Sequence, residues 1–132
     1  MKRRDLFTLS LALAAVPAVA LAGGPTRGGG DEPSYTPMAS LTATLIRSNG
    51  RRGVLSVEAG IDVPDEELRT RAIQAVPRLR AAYSDALRNF GAALRPAEVP
   101  DADRLARELQ AITDEVLGRS GARLLLGTIL TT

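Results

Sequence analysis

The sequence predicts an α+β domain: a small antiparallel sheet in the order β-β-α-α-β, with two helices packed on one face. Apolar and polar residues alternate over 40–46 and 55–63, which is the pattern of half-buried strands. Apolar residues then recur at helical spacing over 68–94 and 105–116. A leucine-rich run over 122–130 supplies a closing strand. Together these patterns predict one domain over residues 40–132.

The first two predicted strands flank a turn. In the first strand Leu41, Ala43 and Leu45 alternate with a threonine-rich face. Between the strands, residues 48–50 (Ser-Asn-Gly) form a typical turn sequence, which residues 51–53 (Arg-Arg-Gly) extend. The segment therefore predicts an antiparallel hairpin whose threonine-rich face points away from the helices.

The first helix is predicted to open at Pro64, with Asp62 as its cap and acidic residues in its first turn. Its apolar stripe keeps its phase across Pro77, which predicts one kinked, continuous helix. Asp101 is the predicted cap of a second helix that ends at Gly118. The stripes consist of Leu68, Ala72, Val76, Leu79, Tyr83, Leu87, Phe90 and Leu94 in the first helix and of Leu105, Leu109, Ile112 and Val116 in the second.

The composition argues against several kinds of site. The chain has no cysteine and no histidine, so the sequence predicts no disulfide, no zinc–thiolate site, no thiol nucleophile and no imidazole base. Three of the 17 basic residues and one of the 15 acidic residues lie in segment 1–22, so the two signs balance in the remainder. A nucleic-acid-binding domain would carry a basic excess. No nucleic-acid partner is therefore predicted.

Residues 1–22 have the pattern of an export signal. A basic start precedes a mainly apolar, uncharged run over 6–16, Pro17 then breaks the run, and small residues follow at the positions that signal peptidase reads. The order of residues 3–7 resembles the twin-arginine consensus. The predicted signal residues are Arg3, Arg4, Leu6 and Phe7 for the export pattern and Ala20 and Ala22 for the peptidase site.

An uncleaved membrane anchor is the alternative for this segment. Residues 6–22 reach the lower end of the roughly 17–25 residues that span a bilayer, and the basic start would hold the N-terminus in the cytoplasm. In that case the segment itself would contact the membrane. Both alternatives place the domain on the periplasmic side, either free or anchored to the inner membrane. Residues 23–39, rich in glycine and proline, are predicted to be a flexible linker.

Three stretches of the predicted domain match a known pattern. Residues 53–62 (Gly-Val-Leu-Ser-Val-Glu-Ala-Gly-Ile-Asp) look like a strand that leads into an acidic helix start, and residues 76–82 (Val-Pro-Arg-Leu-Arg-Ala-Ala) look like a proline-containing helix motif. Residues 105–117 look like a second helix that ends in Leu-Gly before the last strand. Over roughly residues 40–132 the chain resembles the FliL family of flagellar basal-body-associated proteins.

The resemblance implies an arrangement and a role. Members of that family have one membrane segment, a flexible linker and a small periplasmic domain related in fold to stomatin-like domains. They sit beside the stator units of the flagellar motor and support torque under load, and they have no catalytic residues. The resemblance therefore implies a scaffolding or modulating protein whose partners are flagellar motor components and further copies of itself.

Two charged clusters are candidates for binding. Arginines off the first apolar stripe could grip an acidic partner or lipid headgroups, but a solvated helix face is the favoured interpretation. Clustered acids could bind a divalent cation, but helix capping is favoured because the spacing of a calcium loop is missing. The two sets are Arg69, Arg71, Arg78, Arg80 and Arg88, and Asp62, Asp65, Glu66 and Glu67, with Asp101 and Asp103 as a further acidic pair.

These observations predict a non-enzyme with no catalytic, cofactor or metal site. The serines have no histidine and no nearby lysine to activate them. The first hypothesis is an exported, FliL-like accessory that acts by protein contacts and uses the export machinery to reach its place. A soluble periplasmic interaction module unrelated to motility is the second. A small envelope hydrolase that uses carboxylates is the third.

Overall fold

The structure, a computed structural model, describes residues 33–132. The predicted export residues 1–22 and most of the predicted linker lie outside the described residues. The described part contains two helices and four strands, whose bounds are β1 Tyr35–Pro37, β2 Leu41–Ile46, β3 Arg52–Asp62, α1 Glu66–Ala93, α2 Ala102–Leu117 and β4 Arg123–Thr131. The predicted α+β class is confirmed, with one strand more than the sequence indicated.

Strand β3 lies at the centre of the sheet, and every other strand pairs with it in antiparallel fashion. Strand β2 pairs along its first half, β1 pairs at its end, and β4 covers its other edge. Thr42 and Thr44 are exposed, whereas Leu41 and Ala43 on the opposite face are buried. The helices thus cover one face of the sheet, and the threonine-rich face is open, as predicted.

The additional strand β1 lies in the segment predicted to be a linker. Its residues pair with the end of β3, and two backbone hydrogen bonds flank it: Val63 donates to Ser34 (2.8 Å) and Met38 donates to Ala59 (3.0 Å). Met38 is buried, with 8% of its surface exposed. Main-chain pairing therefore holds a segment whose side chains are too polar and too rich in proline to show a strand pattern.

Helix α1 begins two residues later than predicted, and its cap is Asp65 rather than Asp62. The Asp65 carboxylate accepts a hydrogen bond from the Leu68 amide (2.8 Å). That bond, together with the Arg119 guanidinium, lowers the pKa of Asp65. Pro77 lies inside α1, which runs without interruption to Ala93, so the predicted continuity is confirmed.

Helix α2 has the predicted ends. The Asp101 carboxylate accepts from the Arg104 amide (3.0 Å), and Gly118 closes the helix in the left-handed conformation, with φ at +78°. That conformation favours glycine because a side chain at positive φ meets the following carbonyl. The sequence signals therefore predicted both ends of α2 correctly.

Within the stripes, three positions differ from the prediction, and in each case a neighbouring residue is the buried one. Leu117 is buried while Val116 is half-buried. Ala75 is fully buried while Val76 is only half-buried, and Thr113 is fully buried while Ile112 is half-buried. Thr113 donates to the Leu109 carbonyl (2.7 Å) and is hydrogen-bonded to the Tyr83 hydroxyl. Because the single hydroxyl proton of threonine goes to Leu109, Tyr83 is the donor to Thr113. A satisfied polar pair thus links α1 to α2 inside the core.

Arg69 was wrongly assigned to a solvated helix face. Only 8% of its surface is exposed, and its guanidinium donates to the carbonyls of Val63 (Nε, 3.0 Å) and Pro64 (Nη2, 2.8 Å). The long side chain turns back over the N-terminus of α1 and fixes the connection from β3. Arg71 also makes a tertiary contact, to the Leu117 carbonyl (3.3 Å). Arg69 is therefore not available to grip a partner, whereas Arg71 stays exposed.

Candidate protein-interaction surface

The uncovered side of the sheet, here called the open face, carries most of the exposed large apolar side chains of the described residues. Seven such side chains are exposed, and five of them project from the open face. A face that only solvent covers would normally be polar in an antiparallel sheet. The five are Tyr35, Ile46, Val54, Leu125 and Leu130, and the other two are Ile73 and Val99.

Three of the five form the apolar cluster, defined as Ile46, Val54 and Leu130. They come from the three adjacent strands β2, β3 and β4, near the β2–β3 turn. Their exposed fractions are 46%, 43% and 55%. Diagonal neighbours on one face of a sheet lie within reach of each other's side chains. Val54 is the diagonal neighbour of both Ile46 and Leu130, so the three side chains offer a partner an apolar patch.

Tyr35 and Leu125 lie at the opposite end of the open face, on either side of Gly60. Gly60 pairs with Leu125, and a Cβ atom placed on Gly60 would overlap the Tyr35 ring. The missing side chain therefore lets the ring lie flat across β3. This position explains why Gly60 is buried although it faces outward.

The outer edge of β4 is partly occupied by a side chain of α2. The Gln110 amide donates to the Ala122 carbonyl (2.8 Å) and accepts from the Leu124 amide (2.8 Å). It thereby supplies the donor and the acceptor that a fifth strand would bring to this point. Its second donated bond, to Asp114 (3.0 Å), holds it in place. This part of the edge is therefore protected from pairing with another chain.

A β-bulge interrupts the same edge further along. Gly127 and Thr128 both stand opposite Glu58, and the Thr128 amide lies 3.4 Å from the Glu58 carboxylate. Bulges twist an edge strand and break the regular array of free backbone groups.

At the opposite edge of the sheet, formed by β2, Gly91 lets α1 approach the Thr44 carbonyl. Contacts through the open face are therefore better supported than extension of the sheet through either edge.

The acidic cluster at the start of α1 is a helix cap. Asp65 is engaged with the Leu68 amide and with Arg119 (2.5 Å). Among residues 33–132 there is no group of three or more carboxylates placed to hold a metal ion. Asp101 is likewise engaged as the cap of α2. Asp65 and Asp101 thus have a local role as helix caps, whereas Asp62, the predicted cap of α1, does not cap it.

The sequence predicted the open face, but its exposed apolar side chains were missed, although two signals pointed to them. Val54 occupies a polar position in the alternation of β3, and residues 124–126 are three consecutive leucines, one of which must face away from the core. The six predicted signal residues, from Arg3 to Ala22, lie outside the described residues. Within the described range 33–132 there is no helix long and apolar enough to cross a membrane.

No protein-family model matches the chain, and no curated protein matches it significantly. The resemblance to the FliL family therefore stays a prediction that rests on the stretches quoted above.

Proposed function

We propose that the chain is an exported, non-enzymatic interaction module that acts through its open face as a FliL-like accessory beside the flagellar motor. The observation that carries the proposal is the concentration of exposed large apolar side chains on the open face. Exposed apolar area gathered on one surface is the usual mark of a protein–protein contact. The motor as the place of action is supported by the sequence resemblance alone.

Export through the segment 1–22 is the first part of the proposal to test. We expect the protein on the periplasmic side, where protease added to spheroplasts degrades it. The double variant Arg3→Lys/Arg4→Lys should accumulate in the cytoplasm, because the signal loses its arginine pair. Lys2→Arg is the matched control, and it should be exported like the wild type. Fractionation and immunoblotting provide the measurement.

The N-terminal sequence of the recovered protein separates the two forms of the proposal. A chain that starts at Gly23 is processed and free in the periplasm, whereas a chain that retains residues 1–22 in the inner membrane is anchored there. Wild-type protein that stays in the cytoplasm would contradict export altogether.

Contact through the open face is tested by placing a charge in the apolar cluster. A deletion strain should swim more slowly, most of all in viscous medium, and wild-type protein should restore its speed. Leu130→Arg should restore little, because a charged group in an apolar contact must be desolvated. Ile73→Arg is the matched control, since Ile73 on α1 is exposed to a similar extent, 52% against 55%. It should restore swimming fully.

The outcomes discriminate among the candidate functions. Both variants should keep the wild-type melting temperature within a few degrees, because both sites are exposed. Equal rescue by the two variants would show that the apolar cluster is not the contact surface. Normal swimming of the deletion strain in soft agar and in viscous medium would contradict the motor role. The interaction module unrelated to motility would then take its place.

A further inference from the structure

A cleft of about 380 Å³ lies at the end of the domain near the β2–β3 turn. Its walls come from the end of β2, the end of β4 and the loop 94–100 between the helices. Pockets for small ligands in proteins usually measure about 300–1,000 Å³ and combine apolar walls with a few polar groups. The cleft therefore has the size of a ligand site, and the residues that line it indicate which class of ligand fits.

The floor of the cleft is apolar. Leu45, Leu94 and Ile129 line it, and each is half-buried and packed against the core. All three line the cleft and keep some exposed surface, and an apolar chain laid over them would remove apolar surface from water. Because the three residues come from three different elements, the floor forms only in the folded domain.

The mouth of the cleft is basic. Arg47 and Arg95 line it and are exposed. Arg51 belongs to the adjoining turn, and Arg52 is the first residue of β3. Among residues 33–132, none of these arginines has a carboxylate within 4.0 Å. The one acidic side chain lining the cleft, that of Glu98, accepts from the Arg95 backbone amide (2.7 Å). The guanidinium groups are therefore available to an anion from solution.

The loop that forms one wall is held in an unusual conformation. Ala97 has φ at +65°, the one positive φ at a non-glycine residue within the described part of the chain. Such a conformation costs free energy and persists only where surrounding contacts impose it. Two hydrogen bonds between Arg95 and Glu98 close the turn around Ala97. The wall is therefore shaped before any ligand arrives.

We propose that this cleft binds a small amphiphile with an apolar chain and an anionic head group. The chain lies over Leu45, Leu94 and Ile129, and the head group lies at Arg47 and Arg95. A neutral amphiphile would leave both guanidinium groups without an anionic partner. An anion without an apolar chain would leave the apolar floor of the cleft in contact with water. Of the apolar cluster only Ile46 also lines the cleft. The residues assigned to hold the ligand lie outside that cluster, so octanoate binding is tested independently of the proposed function.

Octanoate is the probe for the test, with the full chain titrated in a calorimeter. We expect one site per chain and binding at least about tenfold stronger than that of octanol, which has the same chain length and no charge. Butyrate should also bind at least tenfold more weakly, because each buried methylene contributes about a fourfold change in affinity. Equal binding of octanoate and octanol would overturn the head-group assignment and with it the proposal.

Substitutions of arginine pairs test whether octanoate binds in the cleft. Arg47→Gln/Arg95→Gln should weaken octanoate at least tenfold and leave octanol unchanged. The control Arg78→Gln/Arg80→Gln removes two exposed arginines of α1 that do not line the cleft, and it should bind octanoate like the wild type. All four sites are exposed, so folding is preserved. Equal loss of octanoate affinity in both double variants would refute the proposal. So would the absence of octanoate binding by the wild type at about 5 mM, a concentration at which even weak, millimolar binding is detected.

Discussion

Replacing Arg69 with methionine is expected to lower the free energy of unfolding by about 3 kcal/mol. Two charge-assisted hydrogen bonds to backbone carbonyls are lost, and such bonds contribute about 1.5–3 kcal/mol each. Methionine keeps most of the apolar stem, so the loss reports the guanidinium rather than the packing. For a domain of this size, the melting temperature should fall by about 15 °C. Urea and thermal unfolding provide the measurement.

Arg78→Met is the matched control, because Arg78 lies on the same helix and is exposed. It should change stability by less than about 0.5 kcal/mol. Arg69→Lys should recover only part of the loss, since an ammonium cannot reach both carbonyls with the fixed geometry of a guanidinium. If Arg69→Met were as stable as Arg78→Met, the buried cation would have no structural role.

Replacing Thr113 with valine should cost about 2 kcal/mol, because it leaves the buried Tyr83 hydroxyl without its acceptor. Tyr83→Phe should cost only about 1 kcal/mol, since Thr113 keeps its bond to the Leu109 carbonyl. The double variant should cost less than the sum of the two, because no unsatisfied group remains. Strictly additive losses would mean that the two hydroxyls do not interact.

The same pair gives a pH dependence that serves as an internal check. Burial raises the pKa of Tyr83 above the ordinary tyrosine value of 10.0. The folded state therefore holds this proton more tightly than the unfolded state, so the contribution is complete below pH 10 and is lost as the pH rises through the folded pKa. The stability of the wild type relative to Tyr83→Phe should accordingly shrink above pH 10. Lys2 is the single lysine, so few other groups titrate in this range.

The elements that could be predicted from the sequence are those whose side chains meet the core on one face only. The alternation over β3 and the capping aspartate of α2 directly reflect burial and hydrogen bonding in the structure. Strand β1 could not be predicted, because backbone groups at Ser34 and Met38 hold it and no side-chain pattern records them. The alternation of apolar and polar residues in a sequence reflects which side chains are buried, whereas hydrogen bonds between backbone groups leave no pattern in the sequence.

The residues with unexpected positions are polar ones that found partners inside the fold. The place of Arg69 off the apolar stripe indicated a solvated side chain, but its length lets it reach carbonyls that precede the helix. Thr113 could be buried because both its hydrogen-bonding functions are met. The open face and the cleft bring together residues from distant segments of the chain. The spacing of residues along the sequence does not reveal which of them meet in the folded domain.

The central place of β3 has a consequence for how the domain assembles. Strand β2 meets it across one short turn and β1 meets it after β2, but β4 pairs with it only after both helices have intervened. Closing so long a loop is entropically costly, and chains dominated by distant pairings fold slowly. Docking of α1 and α2 shortens the effective loop before the last strand can pair. Until that moment the edge of β3 that β4 covers in the folded domain is unpaired, and unpaired strand edges in partly folded chains are prone to pair with other chains.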